Sequence, residues 1–265
     1  IEMFPGNLEL LSVAVKRARA GNRTRLAQLW GRALLARNPN NPKLIAQQIS
    51  IELAAGDTAA ALELARRLIE LQPDRIEPRE RLAQISLWVG QPQTALEQWA
   101  YLALHLNYFK HLEPAIRMAP QLSDLETLAQ LLALKARRGR LTNPQLISLV
   151  DTFEAIGEPE QLVGILAGYV ERHPDHREAW LALADEHERR GDLKAALALL
   201  ERIGRDFGSN LSLLMHQAEL LNQLRQPYKA YLLLRDALDH AGVASTHELL
   251  DRVERRPRPA RERPP

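Results

Sequence analysis

Apolar residues recur along most of the chain at intervals of three and four, the spacing that places them on one side of an α-helix. Short polar turns separate these runs, and no stretch keeps the strict apolar–polar alternation of a half-buried strand. Leu and Ala are abundant whereas β-branched residues are sparse, and this composition also favours helix. The pattern therefore predicts an all-α protein.

The helical runs repeat with a fixed period. Gly56 and Gly90 lie 34 positions apart, and the segments that follow them, DTAAALELA and QPQTALEQW, share their apolar positions. The same step, shortened by one residue after the fourth member, connects a column dominated by alanine: Ala27, Ala61, Ala95, Ala129, Leu162, Ala196 and Ala230. A second column falls in the turns, where residues that tolerate a helix-ending conformation are expected: Asn22, Gly56, Gly90, Asp124, Gly157, Gly191 and Arg225.

These columns divide the chain into seven repeats of two helices each. Their approximate bounds are 8–41, 42–75, 76–109, 110–142, 143–176, 177–210 and 211–244. A helix pair this short cannot cover its own apolar faces, so each repeat must stack on its neighbours in a solenoid that occupies residues 1–244. Residues 245–265 are rich in Pro and Arg without apolar periodicity, and we expect a flexible tail there.

The fourth repeat departs from the pattern. Pro114 and Pro120 fall within its expected first helix, and Arg117 occupies a position that is small or apolar in the other repeats. Proline in a helix interior breaks or kinks the helix. The sequence predicts a shortened helix with a local bend here, and the alternative is a hinge or a partner-docking irregularity.

The sixth repeat, HREAWLALADEHERRGDLKAALALLERI, shows the recurring features most completely, with Trp180, Ala184, Gly191, Ala196 and Leu200 at the characteristic positions. The period, the small residues, the glycine turn and the proline between repeats resemble the tetratricopeptide repeat. The resemblance implies a right-handed α-solenoid of about seven repeats. It also implies a concave face, lined by the first helix of each repeat, that binds ligands.

Residue types that catalysis needs are present but are not arranged for it. Cysteine is absent, which excludes disulfides, thiolate metal sites and cysteine nucleophiles. The eight histidines show no His-Glu-x-x-His spacing, and the chain contains neither a glycine-rich phosphate loop nor a Gly-x-Ser-x-Gly elbow. We therefore expect no enzyme activity, no cofactor and no metal.

Charge is nearly balanced, with a net charge of +2, but it is unevenly distributed. No acidic residue lies between Leu10 and Ile51, and the positions implied to face a ligand there are basic: Lys16, Arg19 and Arg23. In the last three repeats the equivalent positions are carboxylates: Asp151, Glu154, Asp185, Glu188 and Glu219. Stacked like charges suit a cationic partner; the alternative is a solvated face that only adds solubility. We do not expect a nucleic-acid partner, because aromatic residues are not interleaved with the basic ones.

Longer phrases carry a second resemblance. RLAQISLWVGQPQTALEQWAYLA, AIRMAPQLSDLETLAQLL and LVDTFEAIGEPEQLVGILAGYVERHPD are similar to the repeat region of the PelB family, the outer-membrane export proteins of Pel exopolysaccharide systems. The resemblance implies a periplasmic, non-catalytic scaffold that recruits a polysaccharide deacetylase or hydrolase and helps to guide a cationic polysaccharide. The alternative is a generic tetratricopeptide adaptor or co-chaperone that binds a peptide in its concave groove.

The chain begins at Ile1 instead of Met, and no apolar run reaches the roughly 20 residues that a membrane span needs. We expect a piece of a longer protein, with no membrane span in this piece.

Overall fold

In a computed structural model of the protein, residues 8–241 are described, with side chains through residue 238. This part of the chain contains helices and no strand, so the predicted all-α class is confirmed. The helices are α1 Leu8–Ala20, α2 Thr24–Arg37, α3 Pro42–Ala54, α4 Thr58–Leu71, α5 Ile76–Trp88, α6 Pro92–His105, α7 Leu112–Met118, α8 Leu125–Arg138, α9 Asn143–Ala155, α10 Pro159–Arg172, α11 Arg177–Arg189, α12 Leu193–Phe207, α13 Leu211–Gln223 and α14 Pro227–Ala241. None of these helices combines the length and the apolar character needed to cross a membrane.

The chain divides into two compact units, residues 1–135 and residues 136–265. In the first unit each helix from α1 to α7 packs against the next, and in the second unit the same holds from α9 to α14. Within each unit the helix pairs therefore stack in chain order, as in an α-solenoid. The assignment of residues 1–244 to one repeat domain stays a prediction, and the proposed tail at 245–265 lies outside the described residues.

The alanine column lies in the interior of the helix pairs. Ala61 and Ala95 are fully buried, Ala27 and Ala196 are 1% exposed, and Ala230 is 3% exposed. Leu162, the larger member of the column, is also fully buried. Since protein interiors are closely packed, a small side chain at these buried positions allows the two helices of a pair to approach closely.

The turn column ends one helix and begins the next. Gly56 and Gly191 both have a φ of 78°, in the left-handed region that residues with a Cβ adopt reluctantly. The aspartate after each glycine caps the following helix, because Asp57 accepts a hydrogen bond from the Ala60 N–H at 3.0 Å. Asp192 does the same for the Ala195 N–H at 3.3 Å.

The fourth repeat contains the break that its prolines predict. Helix α7 is seven residues long and is followed by a 3-10 turn over Ala119–Leu122. The left-handed residue is here Ser123, with a φ of 57°, and not the Asp124 that the turn column indicated. The short helix is tied to α8, since Glu113 pairs with Lys135.

Arg79 is charged, yet it is almost completely buried in the first helix of the third repeat, with 7% of its surface exposed. Its Nε donates to the carbonyl of Pro73 at 2.8 Å, and its guanidinium lies 3.4 Å above the ring of Tyr101. Trp180, at the equivalent position of the sixth repeat, donates from Nε1 to the carbonyl of Pro174 at 3.0 Å. The two residues differ in polarity, but each donates to the carbonyl of the proline at its own repeat boundary. This shared contact explains how an arginine fits a buried position that holds tryptophan in another repeat.

A buried carboxylate joins α2 to α3. Glu52 is 1% exposed and accepts hydrogen bonds from Gln28 at 2.6 Å, from Arg32 at 2.7 and 2.8 Å and from Gln48 at 2.6 Å. Burial alone raises the pKa of Glu52, but these donors together lower the pKa below its ordinary value. Arg32 itself remains 51% exposed and also pairs with Asp57 at 2.8 Å.

A second polar network is buried in the unit formed by residues 136–265. The hydroxyl group of Tyr169 accepts from the Leu141 N–H at 2.9 Å and lies 2.8 Å from Nδ1 of His176. The other ring nitrogen of His176 lies 2.9 Å from Oδ1 of Asn143. His176 is 3% exposed. Both of its ring nitrogens lie within hydrogen-bond distance of a protein group, as buried polar atoms require.

Acidification is expected to destabilise the protein through His176. Burial lowers the pKa of His176 and Arg140 lowers it further, whereas Glu178 and Asp175 act in the opposite direction. The unfolded chain therefore takes up a proton near pH 6.5 while the folded chain does so only at lower pH. The free energy of unfolding should fall as the pH is lowered through 6.5 toward the folded-state pKa.

Urea denaturation across this pH range would measure the effect. The dependence on pH should be shallower for His176→Gln than for the original protein, because the variant lacks the titrating group. His105→Gln, at an exposed position, serves as the control and should keep the original slope. Equal slopes for both variants and the original chain would contradict the assignment to His176.

Candidate partner-binding site

The acidic strip, defined as Asp151, Glu154, Asp185, Glu188 and Glu219, lies on the first helices of the last three repeats. Asp151 and Glu154 are exposed on α9, Asp185 and Glu188 lie one turn apart on α11, and Glu219 is exposed on α13. Helices α9 and α11 contact each other directly. The strip is thus carried by elements of a single unit.

Ion pairs modify the strip. Arg189, at the end of α11, pairs with Glu154 on α9 and also approaches Glu186 at 3.0 Å. Glu188 is 2.5 Å from Nε2 of His216 on α13. The strip therefore contains bridges between successive repeats in addition to exposed carboxylates.

Asp185 is exposed and forms no hydrogen bond or ion pair within the described part of the chain. Limited hydration raises the pKa of its carboxyl group; His216 acts against this rise and Glu188 adds to it. An unpaired carboxylate beside a second one is a favourable position for a positive group of a partner.

The basic residues predicted to bind a partner are on the opposite end of the described chain. Lys16 and Arg19 are exposed on α1, and Arg23 is exposed in the turn before α2. None of the three side chains forms an ion pair with another described residue. They are available to an anionic group, and they belong to the first unit, whereas the acidic strip belongs to the second.

A polar cleft in the first unit was not predicted from the sequence. A cavity of about 380 Å³ is lined by α5, by single residues of α3 and of the middle of α6, and by the segment that precedes α7; the lining includes Glu80, Trp88, Trp99, Lys110 and His111. Trp88 is 61% exposed, whereas Trp99 is 8% exposed and stacks on His111 with ring centroids 5.1 Å apart.

Glu80 organises this cleft. It accepts hydrogen bonds from the Tyr108 hydroxyl at 2.9 Å and from the Lys110 ammonium at 3.0 Å, and it lies 2.8 Å from Nε2 of His111. Burial acts to raise the pKa of Glu80, but these three partners lower the pKa below its usual value. No sequence motif indicates the contacts of Glu80 with Tyr108, Lys110 and His111. These three residues lie between helices and are 28 to 31 positions away from Glu80 in the chain.

Comparison with known proteins supports the repeat assignment. A family model described as tetratricopeptide repeat matches residues 177–220, which include the sixth repeat. This match supports the predicted tetratricopeptide repeats. Repeats of this kind generally serve as scaffolds for protein interactions. No curated protein matches the chain.

Several solved structures resemble the chain at low identity. A structure of Naa15/Naa10 bound to HypK-THB is 18% identical with a TM-score of 0.46, covering 88% of this chain and 36% of that one. A tetratricopeptide repeat protein from Parabacteroides merdae is 15% identical with a TM-score of 0.41, covering 92% and 96%. PilF of Pseudomonas aeruginosa is 16% identical with a TM-score of 0.35, covering 82% and 99%. The chain thus spans about a third of the length of the Naa15/Naa10 chain that it matches.

Proposed function

We propose that this protein is a non-catalytic interaction scaffold that binds a cationic partner along the acidic strip. The observation that carries the proposal is the position of Asp185, which is exposed, forms no ion pair with another described residue and lies beside Glu188 on the same helix. Neighbouring first helices extend this negative surface through Asp151 and Glu219. Such a row of carboxylates attracts a chain with regularly spaced positive groups more strongly than a single exposed acid does.

In finer terms, we propose a periplasmic scaffold in a Pel-type exopolysaccharide export machine. The support is the phrase similarity around Trp88, Gly90 and Trp99, together with the charge of the strip. A partly deacetylated amino-sugar polymer carries ammonium groups along its length, so its charge complements carboxylates on successive helices. The protein partner in this proposal is the deacetylase or hydrolase that modifies the polymer.

Charge reversal at the centre of the strip tests the proposal. The double change Asp185→Lys and Glu188→Lys should weaken binding of a chitosan oligomer by about tenfold or more, since two attractive groups become repulsive. Fluorescence anisotropy with a labelled oligomer at low and high salt would measure this, and high salt should weaken binding to the original protein as well.

A matched control separates the strip from general charge effects. Glu171→Lys and Glu201→Lys make the same change in net charge at exposed positions on α10 and α12. This control should bind the oligomer nearly as well as the original chain. Equal weakening by both double variants, or no weakening by either, would remove the strip from the proposal.

The second candidate is a tetratricopeptide adaptor or co-chaperone that binds an acidic peptide. It is favoured by one observation, the exposed cations Lys16, Arg19 and Arg23, which form no ion pair with another described residue. A pull-down with the protein from periplasmic and cytoplasmic extracts distinguishes the candidates. Capture of a polysaccharide-modifying enzyme supports the export scaffold, whereas capture of chaperones alone supports the adaptor.

A further inference from the structure

Asp185, Glu188 and His216 bring three possible metal-ligand atoms to one place in the second unit. The donor atoms of these side chains all lie within 4.8 Å of one another. Two of the residues come from adjacent turns of α11 and the third from α13 in the next repeat. In the part of the chain that the structure describes, this is the one group of three or more such residues with converging donor atoms.

We propose that these three residues bind a divalent transition-metal ion, with Zn²⁺ as the best match. Ligands of one zinc ion lie roughly 3–3.5 Å apart, because each bond is about 2.0–2.2 Å long. A modest side-chain rotation therefore brings the three donors from their present spacing to bonding geometry. Glu188 and His216 are already 2.5 Å apart and need only separate slightly.

The charge balance around the group favours a cation. Asp185 forms no ion pair with another described residue, and Arg189, the arginine nearest in sequence on α11, is engaged by Glu154 and Glu186. At Glu188 the partner is an imidazole, which is charged only when protonated. A bound metal ion would compensate the negative charge of both carboxylates.

The ligand types select among cations. Magnesium and calcium prefer sites made entirely of oxygen donors, whereas an imidazole nitrogen with carboxylates suits zinc and its neighbours in the first transition row. The group is open to solvent, since Asp185 is exposed and the side chains of Glu188 and His216 are 28% and 29% exposed. Three protein ligands leave at least one coordination position, which a group from a partner can fill.

Isothermal titration calorimetry on the whole chain, with ZnCl₂ and then MgCl₂ as the probes, tests this site. One zinc ion per chain should bind, and magnesium should bind far more weakly. His216→Gln keeps a polar group beside Glu188 but removes the imidazole, and Asp185→Asn removes one carboxylate at an exposed position. Each variant should weaken zinc binding by about tenfold or more.

Two controls match these changes without touching the cluster. Asp74→Asn alters an exposed aspartate outside the acidic strip, and His105→Gln alters another exposed histidine; both should bind zinc like the original chain. Unchanged zinc affinity in His216→Gln, equal affinity for magnesium, or no zinc binding up to about 1 mM would overturn the assignment. Circular dichroism of each variant confirms that the helices are retained.

This inference shares Asp185 and Glu188 with the proposed partner-binding strip, but the two proposals can be tested apart. Zinc binding is measured on the protein alone, and oligomer binding is measured in the presence of a chelator. If the original chain binds the oligomer but not zinc, the metal site is wrong. If it binds zinc but not the oligomer, the partner proposal is wrong.

Discussion

Replacing Glu52 by alanine is expected to lower the free energy of unfolding by about 2–3 kcal/mol. The carboxylate is 1% exposed and accepts hydrogen bonds from three side chains, so its removal leaves Gln48 buried without its acceptor. The expected loss stays below that of a fully buried ion pair, because the Arg32 side chain is 51% exposed and can return to water or to Asp57.

Urea denaturation of the variant and of a surface control would measure this. Glu63→Ala removes a carboxylate that is 70% exposed and pairs with Arg66 on the same helix, so its cost should be within about 0.5 kcal/mol. Glu52→Gln preserves the shape of the buried side chain and separates lost charge from lost volume. If Glu52→Ala were as stable as the original protein, the network would not be a determinant of stability.

Truncation of Leu149 to alanine should be at least as costly, about 2–5 kcal/mol. Leu149 is fully buried on α9, which packs against α10 and α11, so the change removes apolar contact and leaves a cavity. The loss should appear as a lower urea midpoint with little change in the slope of the transition.

Ile147 provides the matched control on the same helix. It is two residues away but 59% exposed, so Ile147→Ala removes a similar number of carbon atoms from a position that is already hydrated. The control should cost less than about 1 kcal/mol. Equal losses for the two variants would contradict the orientation of α9.

The all-α fold class and the pairing of helices could be predicted from the sequence because several local signals agree with each other. The apolar period, the alanine column and the turn residues each indicate paired helices, and each signal lies within one repeat. Ser123 shows where this agreement ends: the prolines of the fourth repeat shorten its first helix, and the left-handed turn moves by one residue from Asp124. A fixed period cannot anticipate such a shift.

Less of the candidate site could be predicted. The i, i+3 spacing of Asp185 and Glu188 places both on one face of α11, and sequence alone suffices for that. The pairing of Glu154 with Arg189 and the approach of His216 to Glu188 join different repeats. No local pattern indicates these contacts, so the strip was predicted without its bridges.

The sequence by itself determined the helices, their period and the small residues that separate paired helices, because backbone hydrogen bonding and apolar spacing are local properties. Only the tertiary structure decided which polar side chains meet. Glu188 and His216 are 28 residues apart in the chain, and Glu52 and Arg32 are 20 apart. Stacking brings such residues together at a rotation and distance set by the packing of whole helices, which is the reason the candidate metal ligands and the buried carboxylate emerge only in three dimensions.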